Sequence, residues 1–112
     1  MNKQFTPAKR LIFALALALL PAAYASAQVE GKQIFENNCK TCHAIGEKVV
    51  VPDLKDVHKR RDEAWIKSFI SNSSKMVADG DKQAVEVFEA NNKIPMPSFS
   101  GSIDEAGLTA LV

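Results

Sequence analysis

The 112-residue chain has only two cysteines and two histidines, almost no net charge, and no alternating apolar and polar run long enough to read as a strand. Its 14 basic and 13 acidic residues give a formal charge of +1, which excludes the basic stripe and high pI that nucleic-acid binding requires. A four-ligand structural zinc site could be assembled only by recruiting Cys39, Cys42, His43 and His58 together, two of them adjacent in sequence. There is no internal repeat and no low-complexity tract. The longest apolar run, Leu11 to Leu20, is closed by Pro21 and is short for a bilayer span, which takes about 20 residues.

That run is better explained as part of a leader. Lys3, Lys9 and Arg10 form a positive n-region, Leu11 to Leu20 an apolar h-region, and Ala25-Ser26-Ala27 an A-x-A cleavage site, so residues 1–27 read as a secretory signal peptide cleaved after Ala27. No cysteine follows closely enough to carry a lipid. The expected product is a soluble exported protein, located in the periplasm. Removing 27 of 112 residues leaves 85, with 11 Lys and Arg against 13 Asp and Glu, a formal charge of −2. The positive charge of the whole chain therefore comes from the leader. A chain of 85 residues forms one domain, residues 28–112, and small domains often need a staple because they bury little apolar surface.

What the chain does have is Cys39-Lys40-Thr41-Cys42-His43, a Cys-x-x-Cys-His run. Two thiols three residues apart on an incipient helix can each add across one vinyl group of a porphyrin, and the adjoining imidazole then lies under the iron. A thioredoxin-like redox pair would sit in a βαβ setting, and no strand pattern surrounds this motif. A plain Cys39–Cys42 disulfide suits an oxidising compartment but leaves His43 unexplained. The reading is one haem c, attached covalently through Cys39 and Cys42 and ligated by His43, and the macrocycle supplies the staple.

Around this motif the periodicity is helical throughout. A first helix is expected from about Val29 to Cys42, with Ile34, Phe35, Cys39 and Cys42 along one face. Gly31, four before Phe35, costs roughly 1 kcal/mol against alanine inside a helix and so points to close approach of another helix. Ala44 to Arg61 reads as irregular. A helix from about Asp62 to Asn72 has Asp62 as N-cap, Trp65, Ile66, Phe69 and Ile70 on one side, and Asn72-Ser73-Ser74 as its end. A third helix runs from about Asp81 to Asn91 after the break at Gly80, burying Ala84, Val85, Val87 and Phe88. Ile94-Pro95-Met96-Pro97 is extended, because proline biases its predecessor away from helix. Ser102 with Glu105 forms a capping-box pattern that opens a last helix through Leu108 and Leu111.

An iron held by His43 has a second axial position. Met96 is the leading candidate, since Pro95 and Pro97 restrict the backbone on both sides of a flexible thioether. Met76, in the polar stretch Ser73 to Asp81, and His58, in the charged run His58-Lys59-Arg60-Arg61, are its rivals. Simple gap filling is the ordinary role of a methionine.

These residues together resemble a class I cytochrome c of the small monohaem bacterial type. The resemblance covers essentially all of residues 28–112 and rests on Gly31 with Phe35, Cys39-x-x-Cys42-His43, Pro52-Asp53-Leu54, Arg60-Arg61 with Trp65, and Met96-Pro97. It implies an all-α cytochrome c fold of about four short helices wrapped around one haem. It also implies that the Pro52 carbonyl accepts the proton of the His43 imidazole, and that Trp65 and one of Arg60 or Arg61 reach a haem propionate; core packing for Trp65 and surface solvation for the arginines are the alternatives. Two departures stand out. Val49-Val50-Val51 occupies the place where a glycine commonly precedes the proline, and the last helix, about ten residues long, lacks the aromatic residue that usually packs near Gly31 and Phe35. Leu108 and Leu111 would fill that role, with a weakened interface between terminal helices.

A haem with both axial positions filled changes oxidation state with little ligand movement, which suits electron transfer rather than bond chemistry. The expected function is a soluble, monomeric electron carrier, not an enzyme, serving periplasmic or membrane partners of a respiratory chain. Transient docking is expected around the haem edge near Cys39 to His43 and the Met96 loop, with Lys40, Lys48 and Lys93 steering an acidic partner. A haem sensor or peroxidase-like enzyme with a displaceable sixth ligand, and an electron-transfer subunit of a larger complex, are the alternatives.

Overall fold

The computed structural model describes residue 28 and residues 30–112; the expected leader, residues 1–27, and its cleavage site lie outside the described residues. The described chain is all-α, without strands: α1 (residues 30–38), α2 (Val57–Arg60), α3 (Glu63–Ala78), α4 (Lys82–Ala90) and α5 (Glu105–Leu111). No helix among the described residues is long and apolar enough to cross a membrane.

Helix α1 is shorter than its periodicity suggests. The amides of Cys39 and Lys40 both donate to the Phe35 carbonyl (2.9 and 3.0 Å), and this doubled acceptor ends the regular ladder. Turns then carry the chain through the cysteine motif, with the Cys42 and His43 amides donating to the Cys39 carbonyl at 3.1 and 2.9 Å. The segment expected to be irregular contains one ordered turn, α2, entered through Asp56 at φ 56°.

Helix α3 starts where its cap predicts: the Asp62 carboxylate accepts from the amides of Ala64 (2.9 Å) and Trp65 (3.3 Å), two donors that a helix start leaves unsatisfied. It does not stop at Asn72. That residue leaves helical geometry (φ −160°, ψ 79°), yet a second helical segment continues to Ala78. The Asn72 side chain caps this second segment, accepting from the Lys75 amide at 3.1 Å. Asparagine and serine end helices and begin them for the same reason, a side chain that competes for backbone groups. Gly80, at φ 80°, closes α3 in a Schellman arrangement, with the amides of Gly80 and Asp81 donating to Val77 and Met76.

Asp81 caps α4 through the Ala84 amide (2.8 Å). In α4 only Ala84 is buried; Val85, Val87 and Phe88 are half-buried. The cap of α5 is Asp104, which accepts from the Gly107 amide at 2.8 Å. Ser102 instead donates its hydroxyl to the Phe99 carbonyl, so the expected capping box does not form.

Helix α3 packs on α4 and α5, and the buried apolar residues among those described are Cys39, Ile66, Ala84, Ile103 and Leu108. Helices α1 and α5 meet at Gly31: a Cβ there would lie 2.7 Å from the Ala110 carbonyl carbon and 3.3 Å from the Leu111 nitrogen. The glycine therefore permits contact between backbones. One turn earlier in α5, Gly107 faces the Ile34 side chain of α1. Leu108 is buried and Leu111 half-buried at this end of the molecule.

Candidate functional site

The end of α1 and the turns after it deliver three chemically distinct donors within five residues. Cys39 is buried and Cys42 exposed, both as free thiols, and burial pushes the Cys39 thiol up from its ordinary value. His43 follows at once. Its Nδ1 is buried and makes no well-formed hydrogen bond, and burial lowers the imidazole pKa below 6.5, opposed by the carbonyl of Pro52. A buried imidazole nitrogen beside a backbone carbonyl is the usual setting of a metal-ligating histidine, whose second nitrogen is oriented by such an acceptor.

The loop carrying Pro52 returns to the motif and is closed at its base. The Val51 amide donates to the Cys42 carbonyl (3.4 Å) and the Leu54 amide to that of Ala44 (3.1 Å). The Asp53 carboxylate accepts from the amides of Gly46 (2.6 Å) and Lys55 (2.8 Å). These donors hold the carboxyl below its ordinary range, Lys55 contributing most. Valine stands at positions 49–51 without disturbing this closure; Val49 and Val50 are exposed, as is Ile45.

Arg60, Arg61 and Trp65 lie around α2 and the start of α3. Arg60 donates through Nη2 to the Asp53 carbonyl (3.1 Å), next to Pro52. The Arg61 guanidinium lies 5.6 Å from the centroid of the Trp65 ring, within cation–π range. Trp65 stacks on Phe69, with centroids 4.9 Å apart, and donates its indole N–H to Asp81 Oδ1 at 3.1 Å. That is the only polar hydrogen of the ring, so a propionate contact by Trp65 would require this bond to be given up.

Met96 is half-buried, in the extended segment that follows α4. The segment leaves α4 through Asn92 and Lys93, both left-handed (φ 57° and 58°), and Ile94 is exposed. The hydroxyl of Ser73, the buried polar residue of α3, donates to the Met96 carbonyl at 3.4 Å. Of the rivals, His58 is exposed on α2 and Met76 half-buried on the second segment of α3.

Several residues that shape this region carried no functional signal in the sequence. Asp81 reaches Trp65 across a separation of sixteen residues, and the Ser71 carbonyl gathers donors from the segment after Met96. Asp53 stands out in the sequence only as part of Pro52-Asp53-Leu54. Tertiary hydrogen bonds of this kind have no sequence period.

Among the described residues, no group of three or more His, Cys, Asp and Glu side chains converges to hold an ion, as a zinc site would require. Two thiols and an imidazole within five residues are instead the donor types that a covalently attached haem takes, and these residues fit that group.

A family model described as Cytochrome c matches residues 28–112. Cytochrome c6 of Tetradesmus obliquus is 33% identical over 81 residues, 72% of this chain and 79% of that protein. Cytochrome c6 of a Picosynechococcus strain is 28% identical over 100 residues, 87% of this chain and 78% of that protein. Among solved structures, the cytochrome c domain of the pp3183 protein from Pseudomonas putida is 31% identical and superposes with a TM-score of 0.62, covering 72% of this chain and 79% of that one. Cytochrome c from Rhodothermus marinus, at 24% identity, shares the fold with a TM-score of 0.69 over 78% of this chain and 72% of that one.

Proposed function

Because the chain belongs to the cytochrome c family, we propose that residues 28–112 form a soluble one-electron carrier, an electron-transfer protein and not an enzyme, exported to the periplasm and holding a single haem c. When bound, the haem supplies an iron that cycles between ferric and ferrous states, at a potential tuned by its axial ligands, burial and surrounding hydrogen bonds. Cys39 and Cys42 would tether it, and His43 would ligate its iron through one ring nitrogen, with the Pro52 carbonyl as the acceptor that orients the other. Met96 would supply the second protein ligand, from a segment restricted by Pro95 and Pro97. One of Arg60 or Arg61 would reach a haem propionate; Arg61 lies over the Trp65 ring.

The observation that carries the reading is the run of donors that follows α1, with His43 Nδ1 buried without a partner and the Pro52 carbonyl acting on the imidazole. With His43 and Met96 both ligating, substrates would be kept from the iron, which favours electron transfer over bond chemistry. Exposed Ile45, Val49, Val50 and Ile94, with exposed Lys40 and Lys48, suit brief docking of redox partners, such as members of a respiratory chain. Lys93 is engaged with Glu89 at 3.4 Å.

Mass spectrometry of the secreted protein is expected to find a covalent haem adduct. The oxidised protein is expected to show the near-infrared band of thioether-to-iron ligation, and Met96→Ala to lose it. Ready binding of carbon monoxide by the reduced wild type would instead mark a sensor or peroxidase-like protein with an open sixth position. Co-elution with other subunits in the native periplasmic fraction would mark a component of a larger complex.

A further inference from the structure

The break in α3 is not a passive kink. In an uninterrupted helix the Lys75 amide would donate to the Ser71 carbonyl, four residues back. Here the Asn72 side chain takes that proton, its Oδ1 3.1 Å from the Lys75 nitrogen, and the Ser71 carbonyl is released. Three donors from the far side of the Met96 segment converge on it: the amides of Phe99 (3.0 Å) and Ser100 (2.9 Å) and the Ser98 hydroxyl (2.9 Å). One residue beyond the break, the Ser73 hydroxyl holds the carbonyl of Met96 itself. Ser73 is 4% exposed, and the bond to half-buried Met96 is partly shielded from water.

We propose that Asn72 is a positioning residue for Met96: by substituting its own oxygen for the Ser71 carbonyl, it frees that carbonyl to clamp Ser98–Ser100 and thereby sets how readily Met96 leaves the iron. The inference rests on Met96 being the axial ligand. With the clamp formed, the segment is tied to α3 at Met96 and again two to four residues later. Movement of the thioether must then stretch or break these bonds. Removing Oδ1 returns the Lys75 amide to the Ser71 carbonyl, which then competes with Phe99 and Ser100 for the same lone pairs.

The test uses the haem-loaded protein, with imidazole as the competing ligand for ferric iron and the near-infrared thioether band as the second readout. Loss of one net hydrogen bond corresponds to a change of up to about tenfold in an equilibrium. Asn72→Ala is therefore expected to bind imidazole about tenfold more tightly and to show a weakened band. Asn72→Asp, which keeps an acceptor at the same place, is expected to behave as wild type. Ser98→Ala and Ser73→Ala each remove one bond without touching the break and are expected to tighten imidazole binding about threefold. They decide the matter if Asn72→Ala does not accumulate as holoprotein.

Variants that melt earlier but keep the wild-type band and imidazole affinity would overturn the proposal, since Asn72 would then act on helix stability alone. If Met96→Ala abolishes the band while the clamp variants bind imidazole like wild type, the clamp fails and the ligand assignment survives. If Met96→Ala leaves the spectrum unchanged, both fail.

Discussion

Replacing Gly31 with alanine places one methyl group where the backbones of α1 and α5 touch. The new Cβ would lie 2.7 Å from the Ala110 carbonyl carbon and closer still to its oxygen, well inside van der Waals contact. No side-chain rotation relieves this, because the opposing atoms are backbone, so the helices must separate. Overpacking a closed contact costs about 1–3 kcal/mol and occasionally more, against a gain of roughly 1 kcal/mol from replacing glycine inside a helix. A methyl set against rigid backbone belongs at or above the upper end of that range, which leaves a net loss of about 2 kcal/mol. In a domain of this size that lowers Tm by roughly 10 °C. The assay is a thermal melt of the holoprotein followed by far-ultraviolet circular dichroism. Gly107→Ala is the internal control: its Cβ would meet the side chains of Ile103 (3.0 Å), Ile34 (3.2 Å) and Asp104 (3.3 Å), which can shift, so its Tm is expected to stay within about 5 °C of wild type. A Gly31→Ala protein melting at or above wild type would show that α1 and α5 do not meet as described.

Cys39→Ala combined with Cys42→Ala is expected to give a largely unfolded exported chain, because the protein buries few apolar side chains of its own; a cooperative, native-like melt of this haem-free variant would contradict the staple role. Asp81, held below its ordinary value of 3.8 first by the Ala84 amide and then by the Trp65 indole, adds stability that is complete above that value and disappears as pH falls through the lower folded value. Asp81→Asn should therefore melt earlier than wild type at neutral pH, with the gap closing below about pH 4; Tm curves that stay parallel into acid would rule this out. Steering by Lys40 and Lys48 predicts that association with an acidic redox partner slows as salt is added, and stopped-flow rates indifferent to ionic strength would eliminate it.

The cysteine motif, the cap at Asp62 and the close approach at Gly31 were all legible in the sequence, because each depends on residues a few positions apart or on a glycine with one evident use. Helix α2 was not, since one turn of Val57-His58-Lys59-Arg60 is too short to show a period. For the start of α5 the sequence offers Ser102 with Glu105, but Asp104 stands three residues before Gly107 and takes the cap. Asn72-Ser73-Ser74 signalled a helix boundary correctly and its meaning wrongly: the chain breaks there and then resumes, because the Asn72 side chain offers the next segment its first acceptor. The partners of Trp65 and Ser71 lie sixteen or more residues away, at separations set only by the packing of α3 on its neighbours.

The loop between Ala44 and Leu54 is fastened at its neck by Asp53 and by two backbone hydrogen bonds, while Ile45, Val49 and Val50 are exposed at 70%, 51% and 52%. Its crown and its foundation are thus mechanically separate. Exchanging Val49 or Val50 is therefore expected to leave the path of the chain past His43 as it is, since the bonds that fix that path are made by other residues.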